Sequence, residues 1–276
     1  MVKALLSNRI IAGCLAVLAL FALAGIFAPW LAPHDPNEAD VINAMAPSSW
    51  TYLLGTDALG RDIFSRLLYG IRTTLLYSTL TMLVTVFFGT LVGVLSGYIG
   101  GKTDSVIMRM CDVVLALPME VIVLSVVGIL GPGLTNIVFA NFVAKLPWYV
   151  RMIRGATLKF RQQHYLQYSS IVGTKRSYVI RKHLLPNIAS EVSILGSLDL
   201  GWIILSISAL SFLGLGVQPP TAEWGVMLSE AREVLFTNPE QLLYPGIAIM
   251  IVVACCNLLG DSIRDVLDPR EKSRAA

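Results

Sequence analysis

The sequence predicts an all-α, polytopic membrane protein with six transmembrane helices. Of its 276 residues, 55% are hydrophobic and only 14% are charged, whereas a soluble domain carries about 25% charged residues. Apolar runs of about 20 residues recur along the chain, the length that crosses a hydrocarbon core. The runs are continuous rather than alternating, which selects helices over a β-barrel.

Lys3 and Arg9 precede the first run, Ile10 to about Pro29. With Ala22-Leu23-Ala24 this stretch fits a cleavable leader as well as a retained helix. The run continues past Ala24 to Trp30, and five more runs follow, so a retained first span is expected. Residues 31–72 are polar and broken early by Pro33, Pro36 and Pro47. They contain Leu54-Gly55-Thr56-Asp57-Ala58-Leu59-Gly60-Arg61-Asp62-Ile63-Phe64-Ser65-Arg66. This cluster lacks the Lys-Ser/Thr ending of a phosphate loop. It reads as a capped turn in which Asp57 and Asp62 bond backbone and pair with Arg61 or Arg66.

The second span is expected from about Thr74 to Tyr98. Gly89, Gly93 and Gly97 form a small-residue ladder on one helix face, which lets another helix approach closely. The third span, about Val106 to Leu130, contains Pro118 and Glu120. After the turn Gly131-Pro132-Gly133 comes the fourth, about Leu134 to Ile153, with Lys145 and Pro147 inside. Glu120 and Lys145 both fall near mid-membrane on consecutive antiparallel helices, so the expectation is that they face each other or share a polar cavity. The fifth span, about Ile188 to Leu213, carries Asp199. Residues 214–242 are polar and lead to the sixth span, about Leu243 to Leu259, and a charged tail from Asp261.

Between the fourth and fifth spans lies a basic island, Tyr165 to Asn187. A short helix, Gly173, a second basic helix and a break at Pro186-Asn187 are expected there, a compact unit outside the lipid on which another protein pushes. Charge placement orients the chain. With the N-terminus inside, sixteen Lys and Arg fall on the cytoplasmic side, and Arg61, Arg66, Arg72 and Arg232 fall outside, leaving Lys145 in the membrane. Both termini and the island are then cytoplasmic, and residues 31–72 and 214–242 face outward.

Enzyme chemistry finds no foothold. There is no HExxH and no GxSxG, and the three histidines stand in separate segments. Leu258-Leu259-Gly260-Asp261 lacks the first Gly of the intramembrane aspartyl protease GxGD. No phosphate loop is present, so the chain cannot hydrolyse ATP by itself. Cys14, Cys111, Cys255 and Cys256 form no CxxC and read as small packing residues. No His/Cys cluster has metal-ligand spacing.

Three motifs carry a family resemblance. They are Gly55-Thr56-Asp57 with Gly60-Arg61-Asp62 and Ser65-Arg66; Gly173 with Leu185-Pro186-Asn187; and Ser211-Phe212-Leu213-Gly214-Leu215-Gly216, Glu223-Trp224-Gly225 and Asn257-Leu258-Leu259-Gly260-Asp261 with Arg264-Asp265 and Asp268-Pro269. The whole chain resembles a permease subunit of an ATP-binding-cassette importer in the dipeptide/oligopeptide/nickel branch. It looks closest to nickel permeases through Thr221 to Met227, Gly133 to Asn136 and Trp148 to Met152. One departure is plain: where the family has Glu-Ala-Ala, this chain has Gln167-Tyr168-Ser169, so position 167 offers no ion pair to an ATPase.

The resemblance implies the type I importer fold and a non-catalytic subunit in the bacterial inner membrane. Its partners would be a second permease, two ATPase subunits holding ATP and magnesium, an extracytoplasmic binding protein and membrane lipid, with no nucleic acid. Residues 1–72 would form a first helix and outer loop, 73–262 the core permease domain with an ATPase-coupling loop at 160–187, and 263–276 a cytoplasmic tail. Gln167, Tyr168, Ser169, Ser170, Gly173, Leu185 and Pro186 would couple to the ATPase. Asp57, Arg61, Asp62, Arg66, Glu223 and Trp224 would sit in the outer loops toward the binding protein, and Glu120, Lys145 and Asp199 are the intramembrane polar residues. The expected cargo is nickel or a metal chelate, with dipeptides or oligopeptides as the alternative. An ion-coupled secondary transporter working through Glu120 and Asp199, or an assembly scaffold, are readings of other classes.

Overall fold

The computed structural model describes residues 9–267, and among them the chain is helical with one isolated β-bridge, Thr56 to Asp62. The principal helices are α1 (Arg9–Ile26), α2 (Ile63–Ile99), α3 (Gly101–Leu115), α4 (Met119–Leu130), α5 (Leu134–Arg161), α6 (His164–Ile171), α7 (Arg176–Val179), α8 (Leu185–Phe212), α9 (Trp224–Ala231) and α10 (Glu240–Leu267). A π-helical turn, Ile180–Leu184, joins α7 to α8.

Four helices are long and apolar enough to span a bilayer: Arg9–Ile26, Ile63–Ile99, Arg176–Phe212 and Glu240–Asp265. The pair α3 and α4 makes a fifth if it is one broken span. Helix α5 has the length, at 28 residues, but Lys145, Arg151 and Arg154 lower its apolarity. Length and apolarity therefore do not reproduce the count of six exactly as expected from sequence.

Three boundaries differ from expectation, each for a local reason. Helix α2 begins eleven residues before Thr74, because the Asp62 side chain accepts from the Ser65 N–H and caps a helix that runs 37 residues. The expected third span is not continuous. It breaks at residues 116–118, and α4 leaves α3 at 86°; Pro118 has no N–H to give and clashes with a helical predecessor. At the island the opposite holds. Pro186 does not end the helix, which runs unbroken from Arg176 to Phe212. The π turn before it shifts bonding to i+5, so the Leu185 N–H reaches the Ile180 carbonyl and the proline ring finds room.

The glycine ladder of α2 does what its spacing implies. A Cβ on Gly89 would lie 2.5 Å from the Tyr149 Cβ, one on Gly93 2.8 Å from the Val150 carbonyl oxygen, and one on Gly97 2.8 Å from the Thr157 Cβ. Ile153, whose Cβ would lie 2.9 Å from one on Gly93, joins Tyr149 and Thr157 in bringing three successive turns of α5 directly onto the α2 backbone. Toward the start of α2, Ile63, Leu68 and Ile71 pack with Ile204, Trp224, Met227 and Val252. At its far end, Val94 packs with Ile153, Leu166, Val179, Leu184 and Ile188. The four cysteines are buried and free; Cys14 and Cys255 pack with Ile11 and Leu259.

Candidate functional site

At one end of the molecule α6, the turn at Gly173, α7 and the π turn form a compact unit. Gly173 has φ +79°, and no atom lies within 4 Å of where its Cβ would stand. It is needed for its backbone conformation and not for space. Leu166, Val179 and Leu184 bury one face of the unit against Val94, Ile153 and Ile188. The other face presents Tyr165, Tyr168, Val172 and Tyr178, with Tyr168 67% and Val172 81% exposed. Lys175, Arg176, Arg181 and Lys182 are exposed around it.

Of the residues expected to couple, Tyr168 lies on the open face, while the Ser169 Oγ donates to the Leu166 carbonyl at 2.8 Å. The side chains of Gln167 and Ser170 lie outside the described residues. Leu185 packs inward on the Val94–Ile188 cluster. The Asn187 amide donates to the His183 carbonyl at 2.5 Å and to the Tyr165 hydroxyl at 3.2 Å, fastening α6 to the root of α8.

A staple that sequence spacing did not reveal lies beside this unit. Arg154 makes a bidentate contact to Asp104, Nε at 2.5 Å and Nη2 at 2.6 Å, and the Ser96 Oγ donates to the same carboxylate at 2.6 Å. Arg161 donates to the Gly97 carbonyl at 3.2 Å. The ends of α2, α3 and α5 are thereby tied together.

At the other end, the turn before α2 is held by buried charges. Arg61 Nε meets Asp57 at 2.6 Å and its Nη2 meets Glu230 at 3.0 Å. Arg66 Nη2 meets the other Glu230 oxygen at 2.7 Å, and its Nη1 donates to the Pro36 and Pro220 carbonyls at 3.1 and 3.2 Å. The expected pairing of Asp57 with arginine holds. Asp62 departs from it: its carboxylate accepts from the Ser65 N–H and hydroxyl at 2.9 and 2.6 Å. Sequence reasoning missed Glu230 because a partner 164 residues from Arg66 leaves no local pattern.

The stretch 214–242 is not simply a polar outer loop. Helix α9 within it is buried, and Glu223 and Trp224 are core residues at 0% exposure. The Glu223 carboxylate accepts from Thr74 (3.1 Å), Ser208 (3.2 Å) and the Val226 N–H (3.1 Å), which caps α9. The Trp224 indole donates to the Leu67 carbonyl at 3.2 Å. Neither presents a side chain to a docking partner.

The intramembrane charges are arranged differently from expectation. Lys145 on α5 bonds Asp199 on α8, and not Glu120. The Tyr149 hydroxyl donates to the second Asp199 oxygen at 3.0 Å, and the Lys145 ammonium lies 4.1 Å from the centroid of the Trp202 ring. Glu120 sits in the first turn of α4, just after the break at Pro118; α4 packs on α5 through Val123 and Val127, against Ile137, Ala140 and Ala144, and not through Glu120. It is exposed, and among the described residues its carboxylate has no ion pair or hydrogen bond.

Two adjoining cavities run along these residues. One of about 550 Å³ is lined by Leu115, Met119, Lys145, Trp148, Asp199 and Trp202, among others. The other, about 310 Å³, is lined by Met119, Glu120, Val123, Trp202, Ala209 and Leu210, among others. They share Met119 and Trp202, so they form one groove with an apolar, aromatic wall. No group of His, Cys, Asp and Glu among the described residues could hold a metal ion.

Residues 89–273 match the binding-protein-dependent transport system inner membrane component family, and residues 1–47 match the N-terminal transmembrane domain of oligopeptide transport permease C. The chain is 40% identical to a metal-staphylopine import system permease protein of Staphylococcus aureus, covering 99% of this chain and 94% of that one. It is 38% identical to a nickel transport system permease protein of Escherichia coli, covering 92% of each. It is 41% identical to a glutathione transport system permease protein of Pectobacterium atrosepticum, covering 95% of this chain and 87% of that one.

Proposed function

This chain belongs to the family of binding-protein-dependent transport system inner membrane components, and we propose that, with a second permease, it forms the path by which a metal chelate, or nickel, is imported. It is a permease subunit of an ATP-binding-cassette importer, a multi-pass inner-membrane protein without catalytic activity; separate ATPase subunits hydrolyse the ATP. Membership displaces the ion-coupled and scaffold readings.

One observation carries the cargo reading: the groove wall. Leu115, Leu117, Met119, Trp148 and Trp202 offer apolar and aromatic surface, which suits the organic shell of a chelate better than a hydrated cation. The end-to-end likeness to a metal-staphylopine permease supports it. The likeness to a glutathione permease keeps peptide import as the second reading. Uptake of radioactive nickel, with and without a chelator, in cells with and without the importer tests the choice. Import that needs the chelator is expected. Equal import of nickel alone would make nickel the cargo and the chelator dispensable, and import of dialanine in place of either overturns the cargo reading.

The finer assembly belongs to the same proposal. Two ATPase subunits, holding ATP and magnesium, receive the island at 160–187, with Tyr168 and Val172 as the apolar contact. An extracytoplasmic binding protein docks at the opposite end, near residues 31–62. Both termini lie in the cytoplasm, as the Lys/Arg asymmetry supports. Residues 1–72, 73–262 and 263–276 serve as entry helix and outer loop, core permease and tail. Asp57, Arg61, Arg66, Glu223 and Trp224 then shape the outer platform from within.

A further inference from the structure

The groove along α4 and α8 contains three ionisable side chains, and they are not equivalent. Lys145 and Asp199 neutralise each other, with Tyr149 on the second carboxylate oxygen and Trp202 over the ammonium. Glu120 is left as the one uncompensated charge among the described groove residues. It stands at the 86° break between α3 and α4, beside Met119 and Trp202 where the two cavities meet. The amino-terminal dipole of α4 favours a carboxylate in its first turn but leaves its net negative charge in place. A carboxylate facing hydrocarbon is strongly disfavoured, so the side that carries it must be wet or meet a cation.

We propose that Glu120 is a specificity-determining residue of the translocation path, recognising a positively charged group on the cargo: a protonated amine or the cationic part of a metal complex. This rests on the permease reading above and deepens it. The locked Lys145–Asp199 pair contributes no net charge to the selection. Its role here is to hold Trp202 as the apolar wall along which the organic part of the cargo passes. The groove therefore favours a cargo with a cationic end and an apolar body, and disfavours one whose charged groups are all anionic.

The test uses the assembled importer in proteoliposomes and does not require the cargo to be known. Ala209 lines the Glu120 cavity and is exposed, whereas the native cysteines are buried. Ala209→Cys is treated with a trimethylammonium or a sulfonate methanethiosulfonate reagent, with the importer lacking this substitution as background. Adding Glu120→Gln should lower the cation-to-anion rate ratio by about tenfold or more, because a unit charge lining the same cavity attracts one reagent and repels the other. Glu120→Asp should keep the ratio near that of Glu120. In parallel, the KM for uptake of nickel–histidine or dialanine should rise in Glu120→Gln. An unaltered rate ratio overturns the proposal, because Glu120 is then neutral or paired to the second permease. Failure of both reagents to label Ala209→Cys overturns it too, because the groove is then closed. If wild type imports neither probe but the ratio falls as expected, the cargo reading fails and the role of Glu120 as a charge filter stands.

Discussion

Removing one partner of the Lys145–Asp199 pair should be worse than removing both. Their side chains are only 9% and 10% exposed. Breaking such a pair strands a charge in low dielectric and costs roughly 3–5 kcal/mol. The structure lets this range be adjusted for each variant. In Asp199→Asn the Lys145 ammonium still has the face of Trp202 at 4.1 Å, a partial substitute for its lost partner, so the loss should lie toward the lower end of that range. In Lys145→Met the Asp199 carboxylate keeps the Tyr149 hydroxyl at 3.0 Å but no cation, so the loss should stay near the upper end. Lys145→Met with Asp199→Asn removes both charges and should lose less than either single variant. For a chain of this size about 1 kcal/mol moves Tm by roughly 2–4 °C. Each single variant should then melt several degrees low in detergent, and the double variant should recover. Thermal unfolding of purified permease, scored with folded yield by size exclusion, reads the cycle. Losses that simply add in the double variant would refute the pair as a stabilising unit. A double variant that folds but does not transport would move both residues from structure into the path.

Three further outcomes are expected. Gly173→Val places a branched side chain at φ +79° with open space around it; the strain of about 1–2 kcal/mol should leave insertion intact and uncouple ATP hydrolysis from uptake, and wild-type coupling in proteoliposomes would sink that role. Gly93→Ala puts a methyl against the Val150 carbonyl oxygen at 2.8 Å, which cannot rotate away, so thermal unfolding should show a loss of about 1–3 kcal/mol; Gly128→Ala, which meets nothing, is the control. Arg66→Met takes one of two arginines from Glu230, which keeps Arg61 at 3.0 Å and is 27% exposed to screening water, so the loss should fall below the roughly 3–5 kcal/mol of a broken, fully buried pair; a stability unchanged from wild type would show the outer network to be idle.

Features with local periodicity were legible from the sequence; features depending on distant partners were not. The apolar runs, the four-residue glycine spacing of α2 and the special backbone at Gly173 each announce themselves within one or two helical turns. The choice of partner for Lys145 does not. Glu120 lies 25 residues away across a hairpin turn and is the natural mate on local grounds, whereas Asp199 lies 54 residues away. Pro118 was visible, but nothing local distinguishes a kink from an 86° turn. Averaged polarity over 214–242 concealed α9. The usable signal there was Gly225, whose Cβ would collide with the Ser208 carbonyl oxygen: a glycine next to Trp in a short helix marks a backbone packed tightly against another.

The two prolines that depart from expectation bear on how the island could act on the groove. At Pro118 the chain turns, and Glu120 is carried on a separate short helix. At Pro186 it does not turn, so α7, the π turn and α8 form one rod from Arg176 to Phe212. That rod runs from the exposed Tyr178 to Asp199, roughly 30 Å at 1.5 Å per residue. Helix α5 is a second rod, carrying Lys145 and ending at Arg161 beside the island. Both partners of the buried pair thus sit on rods whose other ends meet at α6. The turn containing Gly173 joins α6 to α7, and Asn187 fastens the root of α8 back to Tyr165. Under the proposed function, a push on Tyr168 and Val172 reaches the groove as rotation of two packed helices, with the α2 glycine ladder as the surface on which α5 turns. The Arg154–Asp104 contact then carries the movement of α5 into α3, and across the break to the helix that holds Glu120.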